Sequence, residues 1–374
     1  MKYTLWVKIY LILVIFTIGS IIIFNYIIDP YGIYNSKIYS FNKVKKNRTT
    51  RLIKAMNTIE IKPRSICLGT SRASRAFDCN HNYFLKPSYN LAIESGSMYE
   101  SKLYFKLALK AGHLNQVLLV LDYRMFKDNQ KEVKEFNSYF NNKTKNSYLP
   151  SYYTLLNSIT VIKNSIHILD KKVKKIIKKK KNPSMLEYMT MIESTYYKNY
   201  PNEYVYSDTK KESFPDFETI VSLCYQNNIE LEIVFGPSHI RQWEALDYYI
   251  GYEKWLTWKK DIVLSVSKIA NSFMEKPYNI IDFSVYHNLT SEMVPVEKDA
   301  QMKYYQDSSH YKKILGSIVL DVLTKESDID NFGVLLNKNN IDQHLKHQKK
   351  NRKDYINISQ YRIDLKKYII KESK

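Results

Sequence analysis

Two short stretches hold the residue types of acyl transfer. In the first, Gly69-Thr70-Ser71-Arg72 follows the apolar run Ser65 to Leu68 and precedes a helix-compatible segment, Ala73 to Phe77. An apolar run broken by a glycine reads as a buried strand, a tight turn and a helix start. A serine there has its side chain at the carboxyl end of a strand and its backbone N–H at the positive end of a helix, which stabilises developing negative charge. The same turn equally suits a serine that only caps the helix. In the second stretch, Asp307-Ser308-Ser309-His310 sets an acid three positions before a histidine. Read as the opening of the final core helix, Tyr311 to Leu323, this spacing lets Asp307 orient the His310 imidazole from within one turn. The imidazole then faces a serine from another strand, giving Ser71 as nucleophile, His310 as base and Asp307 as orienter. Asp307 taken alone is also an ordinary helix cap.

The elements that must position these residues follow an α/β pattern. Ser65 to Leu68 is the first strand and Tyr89 to Ile93 a short second one, followed by an amphipathic helix from Tyr99 to Ala111 that ends at Gly112. Gln116 to Asp122 is the clearest buried strand. The pattern resumes with a helix from Phe217 to Asn227, the strand Glu230 to Phe235, a helix from about Trp243 to Phe273 and a strand from Asn279 to Phe283. Near-continuous apolar strands alternating with helices indicate a parallel sheet covered on both faces, a three-layer α/β fold. In such a sheet, functional side chains gather at the carboxyl ends of the strands. Besides Ser71 and Arg72, those ends hold Glu94 to Ser97, Asp122 to Arg124, Pro237 to His239 and Asp282 to Ser284. Arg72 and Arg124 could act electrostatically or pair with carboxylates such as Asp122 and Asp282. His239 is a substrate-binding candidate, with a structural or surface histidine as the alternative.

The ends and the middle of the chain differ in composition. Tyr10 to Ile28 is uncharged and rich in Ile, Leu, Val and Phe, about the length that crosses a bilayer core of roughly 30 Å. No small-residue cleavage site precedes Asp29, which favours an uncleaved anchor over a signal peptide. The short amino-terminal tail would stay cytoplasmic, with the bulk of the chain outside. This divides the chain into an anchor (1–30), a juxtamembrane connector (31–62), an α/β part (63–126), a mostly helical lysine-rich insertion (127–211), a second α/β part (212–324) and a basic tail (325–374) that looks peripheral. In the insertion, eight of the eleven residues from Lys171 to Lys181 are lysine. The insertion is expected to cover or flank the active face, and the lysine run either contacts anionic lipid or polymer or is a solvated surface.

Lys and Arg number 57 against 37 Asp and Glu, a net charge of +20, so an anionic neighbour is expected. With no zinc-finger spacing and no glycine-rich phosphate loop, nucleic acid is the least supported. An anionic cell-surface glycan or a membrane surface fits better. The three cysteines, Cys67, Cys79 and Cys224, form no disulfide or metal pattern, and no cofactor is called for.

Gly69-Thr70-Ser71-Arg72, Gly96 and Asp307-Ser308-Ser309-His310 resemble the first, second and fifth blocks of SGNH (GDSL-like) hydrolases, whose fold is flavodoxin-like. Asn90-Leu91-Ala92-Ile93, Asp282-Phe283-Ser284 and Asp307-Ser308-Ser309-His310-Tyr311 further resemble membrane-anchored SGNH proteins of bacterial envelopes, such as the alginate O-acetylation proteins and the teichoic acid D-alanine transfer protein. The resemblance covers roughly 63–124 and 217–323. It implies a serine O-acyltransferase or esterase acting on an envelope polysaccharide, a membrane-embedded acyl donor partner, and the N–H groups of Ser71 and Gly96 as oxyanion donors. The third block of that family carries a Gly-x-Asn turn whose asparagine completes the oxyanion hole, whereas this chain has Asp122-Tyr123-Arg124. Losing one such donor typically costs about 2.7 to 4 kcal/mol. The departure leaves open slow turnover or a glycan-binding component with a vestigial triad.

Overall fold

The computed structural model describes residues 2–34, 46–127, 145–176, 183–196 and 204–358. In chain order the described elements begin with α1 (Lys2–Ile28), α2 (Lys46–Ile61), β1 (Ser65–Leu68), α3 (Ser71–Ala76), β2 (Ser88–Asn90), α4 (Met98–Ala111) and β3 (Gln116–Leu121). They continue with α5 (Tyr152–Ile176), α6 (Met185–Tyr196), α7 (Phe214–Gln226), β4 (Glu230–Phe235), α8 (Ile240–Tyr249) and α9 (Tyr252–Ser272). The last are β5 (Asn279–Asp282), α10 (Lys313–Leu323), β6 (Val334–Leu336) and α11 (Ile341–Ile358). Two compact units form, one from Met1–Glu60 with Val133–Lys181, the other from Ile61–Glu132 with Asn182–Lys374. Residues 127–211 therefore divide between the units. The end of the lysine run, 177–181, lies outside the described residues.

The first unit contains α1, which is long and apolar enough to cross a membrane. Three polar side chains within its apolar stretch are hydrogen-bonded inside the protein. The hydroxyls of Thr17 and Ser20 donate to the carbonyls of Leu13 and Phe16, both at 2.8 Å. Asn25 is buried; its amide donates to the Leu149 carbonyl at 2.8 Å and accepts from the Ser158 hydroxyl at 2.9 Å. Such internal pairing is what a low-dielectric setting demands of a polar group.

The second unit is built on a six-stranded sheet of order β2-β1-β3-β4-β5-β6. The first five strands are parallel and β6 runs antiparallel to β5. Cys67, Leu118, Val120, Val234 and Ile281 pack on one face against Ala73 and Ala76 of α3 and Leu315, Val319 and Leu320 of α10. Successive strand residues alternate faces, so Ile66, Leu119, Ile233 and Phe235 turn to the other. There Phe235 meets Trp258 of α9 edge-on, 5.0 Å between ring centroids. Helices thus cover both faces, as the apolar strands require. The strand order reverses between β1 and β3, and the crevice beyond their carboxyl ends is where an open α/β sheet binds ligands.

Three expectations change. The single helix from Trp243 to Phe273 is two, α8 and α9, because Gly251 takes a φ of +100° that L side chains rarely adopt. In the insertion, α6 belongs to the second unit: Met189 joins its core and Glu193 holds Arg241 through two hydrogen bonds, 2.5 and 2.8 Å. The described part of the tail, residues 325–358, is also integral. β6 extends the sheet, and α11 delivers His344 and Gln348 to the buried Asp282 at 2.8 and 3.2 Å. Arg352 of α11 also pairs with Glu244 and Asp247.

Candidate active site

β1 is buried throughout and ends at Leu68. Gly69 then turns the chain at φ +151°, with its Cα so close to β3 that a Cβ would lie 2.8 Å from both the Val120 carbonyl and the Ala73 Cβ. Only glycine fits between the strand and the helix it feeds. Thr70 caps α3, its hydroxyl accepting from the Arg72 N–H at 3.4 Å. Ser71 is the first helical residue, so the helix itself provides no acceptor for its N–H. The same hydroxyl of Thr70 donates to Asp122 Oδ2 at 2.5 Å, just beyond the end of β3.

From the other side of the site comes the loop before α10. Tyr305 and Tyr311 form an isolated antiparallel bridge, and between them Asp307 Oδ1 accepts from the N–H groups of Ser309 (2.8 Å) and His310 (2.9 Å). The helix begins only at Lys313, so Asp307 and His310 lie on a closed hairpin rather than in a first helical turn. The consequence for chemistry is the same. Asp307 Oδ2 lies 2.8 Å from His310 Nδ1, and His310 Nε2 lies 2.8 Å from Ser71 Oγ. A proton on Nδ1 is held by the carboxylate, and the Nε2 lone pair is then left to accept from the serine hydroxyl. Burial would raise the Asp307 carboxyl, but the hydrogen bond and charge of His310 and the two backbone N–H groups outweigh it and hold it below the usual carboxylate range. Ser71, His310 and Asp307 are therefore in hydrogen-bond reach at each step, the order that a nucleophile, its base and an orienting acid require.

Asp122 acts as the hub of the third strand end. Besides Thr70, it accepts from the Arg124 N–H at 2.9 Å and faces the Arg72 guanidinium at 3.6 Å. Arg72, Asp122, Arg124, Gln242, Trp243 and Trp255 line a cavity at the carboxyl ends of β3 and β4. The Thr70 to Asp122 link and the tryptophan walls have no local signature in the sequence.

Two expected site residues do other work. The Gly96 N–H donates to the Ile93 carbonyl at 2.9 Å, closing its own tight turn with Ser95 at φ +54°. It is therefore committed within the loop rather than presented as an oxyanion donor. His239 is fully buried and caps α8: Nδ1 accepts from the Arg241 N–H at 3.2 Å and Nε2 donates to the Glu292 carbonyl at 2.8 Å. With both ring nitrogens used, it has none for a substrate. Among the described residues, no group of three or more His, Cys, Asp or Glu is placed to hold a metal ion.

No protein-family model and no curated protein matches this chain. Among solved structures, a chain described as a candidate platelet activating factor from Streptococcus pneumonia is similar over 75% of this chain and 92% of that one. The identity is 12% and the TM-score 0.37, a likeness too weak to argue from.

Proposed function

We propose that this protein is a membrane-anchored serine acyltransferase or esterase with an SGNH-like, flavodoxin-like catalytic domain, acting on an acyl group, acetyl being the simplest, of an envelope polysaccharide. The observation that carries the reading is the Ser71 Oγ to His310 Nε2 contact of 2.8 Å, backed by Asp307 at 2.8 Å. Ser71 attacks the acyl carbonyl as His310 takes its proton. The imidazolium, held by Asp307, returns that proton to the leaving group, and the acyl group stays on Ser71. A sugar hydroxyl or water, deprotonated in turn by His310, attacks the acyl-enzyme and releases Ser71. Transfer and hydrolysis differ only in that last nucleophile.

The net charge of +20 supports an anionic glycan as acceptor, and the apolar α1 supports a tether with the catalytic domain outside the cytoplasm. A membrane-embedded protein would supply the acyl group in the transfer reading. A second reading, a glycan-binding component with little turnover, is favoured by one observation: the Gly96 N–H is already bonded to Ile93. The test is labelling of the full chain with a fluorophosphonate, which reports nucleophile activation independently of the acceptor. Labelling lost in Ser71→Ala and retained in Ser309→Ala supports the enzyme. No labelling of the folded wild type favours the binding component.

A further inference from the structure

In the first unit, α5 presents two unlike faces. Thr154, Ser158 and Val161 are buried at helical spacing i, i+4, i+7, and Ser158 donates its hydroxyl to Asn25 of α1 at 2.9 Å. The opposite face carries Tyr152, Tyr153, Leu156 and Ile159, which are 70%, 68%, 43% and 37% exposed. Leu155 and Ile162, half-buried, continue that face at its edge. Thr160, whose hydroxyl is turned back to the Leu156 carbonyl at 2.8 Å, and Lys163 are the polar residues on this face. Four large apolar or aromatic side chains exposed side by side mark a surface with an apolar neighbour.

The position of α5 on α1 says what that neighbour is. Asn25 lies in the last turns of the apolar stretch, between the exposed Ile23 and Tyr26. Its amide donates to the carbonyls of Leu149 and Ser151 as well as accepting from Ser158. Tyr31, six residues on, has its hydroxyl 2.6 Å from the Asn157 amide and its ring 5.8 Å from that of Tyr148. The first three turns of α5, about 15 Å of helix, are therefore pinned beside the end of α1. They occupy the level where a crossing helix leaves the hydrocarbon and where tyrosines concentrate.

We infer that the first three turns of α5 form an interfacial membrane helix, with Tyr152, Leu156 and Ile159 in contact with lipid acyl chains. The inference rests on the reading of α1 as a membrane anchor. It gives the chain a second membrane contact, made by an amphipathic helix lying against the anchor. Tyr153 stands at the flank, where its hydroxyl reaches the headgroups, and the exposed Lys163 on the same face can lift its ammonium out of the hydrocarbon. Asn25 has a role in this arrangement. It is the polar group by which the anchor grips α5, and α5 in turn shields it from lipid.

The test uses the full chain in vesicles of phosphatidylcholine and phosphatidylglycerol, with a nitroxide on one introduced cysteine at a time in a Cys79→Ser background, whose remaining Cys67 and Cys224 are buried. Leu156→Cys and Ile159→Cys report on α5, Ile15→Cys on the anchor, and Leu264→Cys, exposed on α9, on water. Collision with oxygen, relative to a water-soluble nickel chelate, is expected to be several-fold higher at 15, 156 and 159 than at 264. A lipid-like signal at 15 with a water-like signal at 156 and 159 overturns the inference and leaves the anchor standing. Protection from both agents at 156 and 159 also overturns it, since a protein then covers the face. A water-like signal at 15 removes the anchor reading itself, and the inference with it.

Discussion

Asp307 fixes which nitrogen of His310 meets the nucleophile. Its carboxylate accepts a hydrogen bond from Nδ1–H at 2.8 Å, and the Nε2 lone pair then points at Ser71. Asp307→Asn keeps the size but offers an N–H where an acceptor is needed, favouring the wrong tautomer. The expected result is a fall in fluorophosphonate labelling rate of roughly 10⁴-fold, by analogy with the same change in other triads, with the circular dichroism spectrum unaltered. A fall of less than tenfold would mean that Asp307 only shapes the loop. This part of the site was legible because its spacing is local: Asp-x-x-His and Gly-x-Ser are short patterns with one chemical use in common. The Thr70 to Asp122 bond was not, since it joins residues 52 positions apart. His239 shows the converse problem. A histidine after the end of a strand reads alike whether it faces a substrate or caps a helix, and only the partners of its two nitrogens decide.

Between elements, the contact of α3 with α10 sets the geometry of the triad, because one helix starts at Ser71 and the other follows His310. Gly316 makes that contact possible: a Cβ on it would fall 2.2 Å from the Ala76 carbonyl. Gly316→Ala must push the helices apart, and overpacking of this kind costs about 1–3 kcal/mol. Because α3 begins at Ser71 and α10 follows the loop that carries His310, both thermal stability and labelling rate are expected to drop. An unchanged rate in a destabilised protein would show that the hairpin carrying His310 is held independently of α10. The sheet itself was readable from apolar runs and turn residues. The role of the tail was not, and the reason is physical. The inward side of α11 carries only two apolar residues, Ile341 and Leu345, beside His344, Gln348 and Arg352, which supply hydrogen bonds to Asp282, Glu244 and Asp247. A helix whose packed face is largely polar gives only a weak apolar periodicity to read. The partner carboxylate explains the need: Asp282 is wholly buried, and burial would raise it. Lys259 at 2.7 Å and His344 at 2.8 Å outweigh that and hold it at about 2.

For the whole molecule, these buried groups tie the stability of the second unit to pH. Burial pushes His239 down from 6.5 to about 3, with its hydrogen bond to Glu292 opposing this only in part. A histidine depressed in the folded state binds its proton more readily when unfolded, so its contribution is complete above about pH 6.5 and is lost as pH falls toward 3. At about 1.36 kcal/mol per pH unit the loss is on the order of 5 kcal/mol, a large share of a domain's stability. Asp282 works the same way lower down: its contribution is full above the ordinary carboxylate value of 3.8 and fades toward about 2. Below pH 4 the protonation of carboxylates also adds to a charge that is already +20, and self-repulsion grows. As pH falls, the histidine contribution is therefore lost first. The measurement is the urea midpoint of the second unit between pH 8 and 4, read by Trp243, Trp255 and Trp258 in a Trp6→Phe background. The wild type should weaken steadily below pH 6.5. His239→Gln should start lower at pH 8, because the cap on α8 is altered, yet lose much less between pH 6.5 and 4. Equal slopes for the two proteins would show that the acid sensitivity between pH 6.5 and 4 does not come from His239.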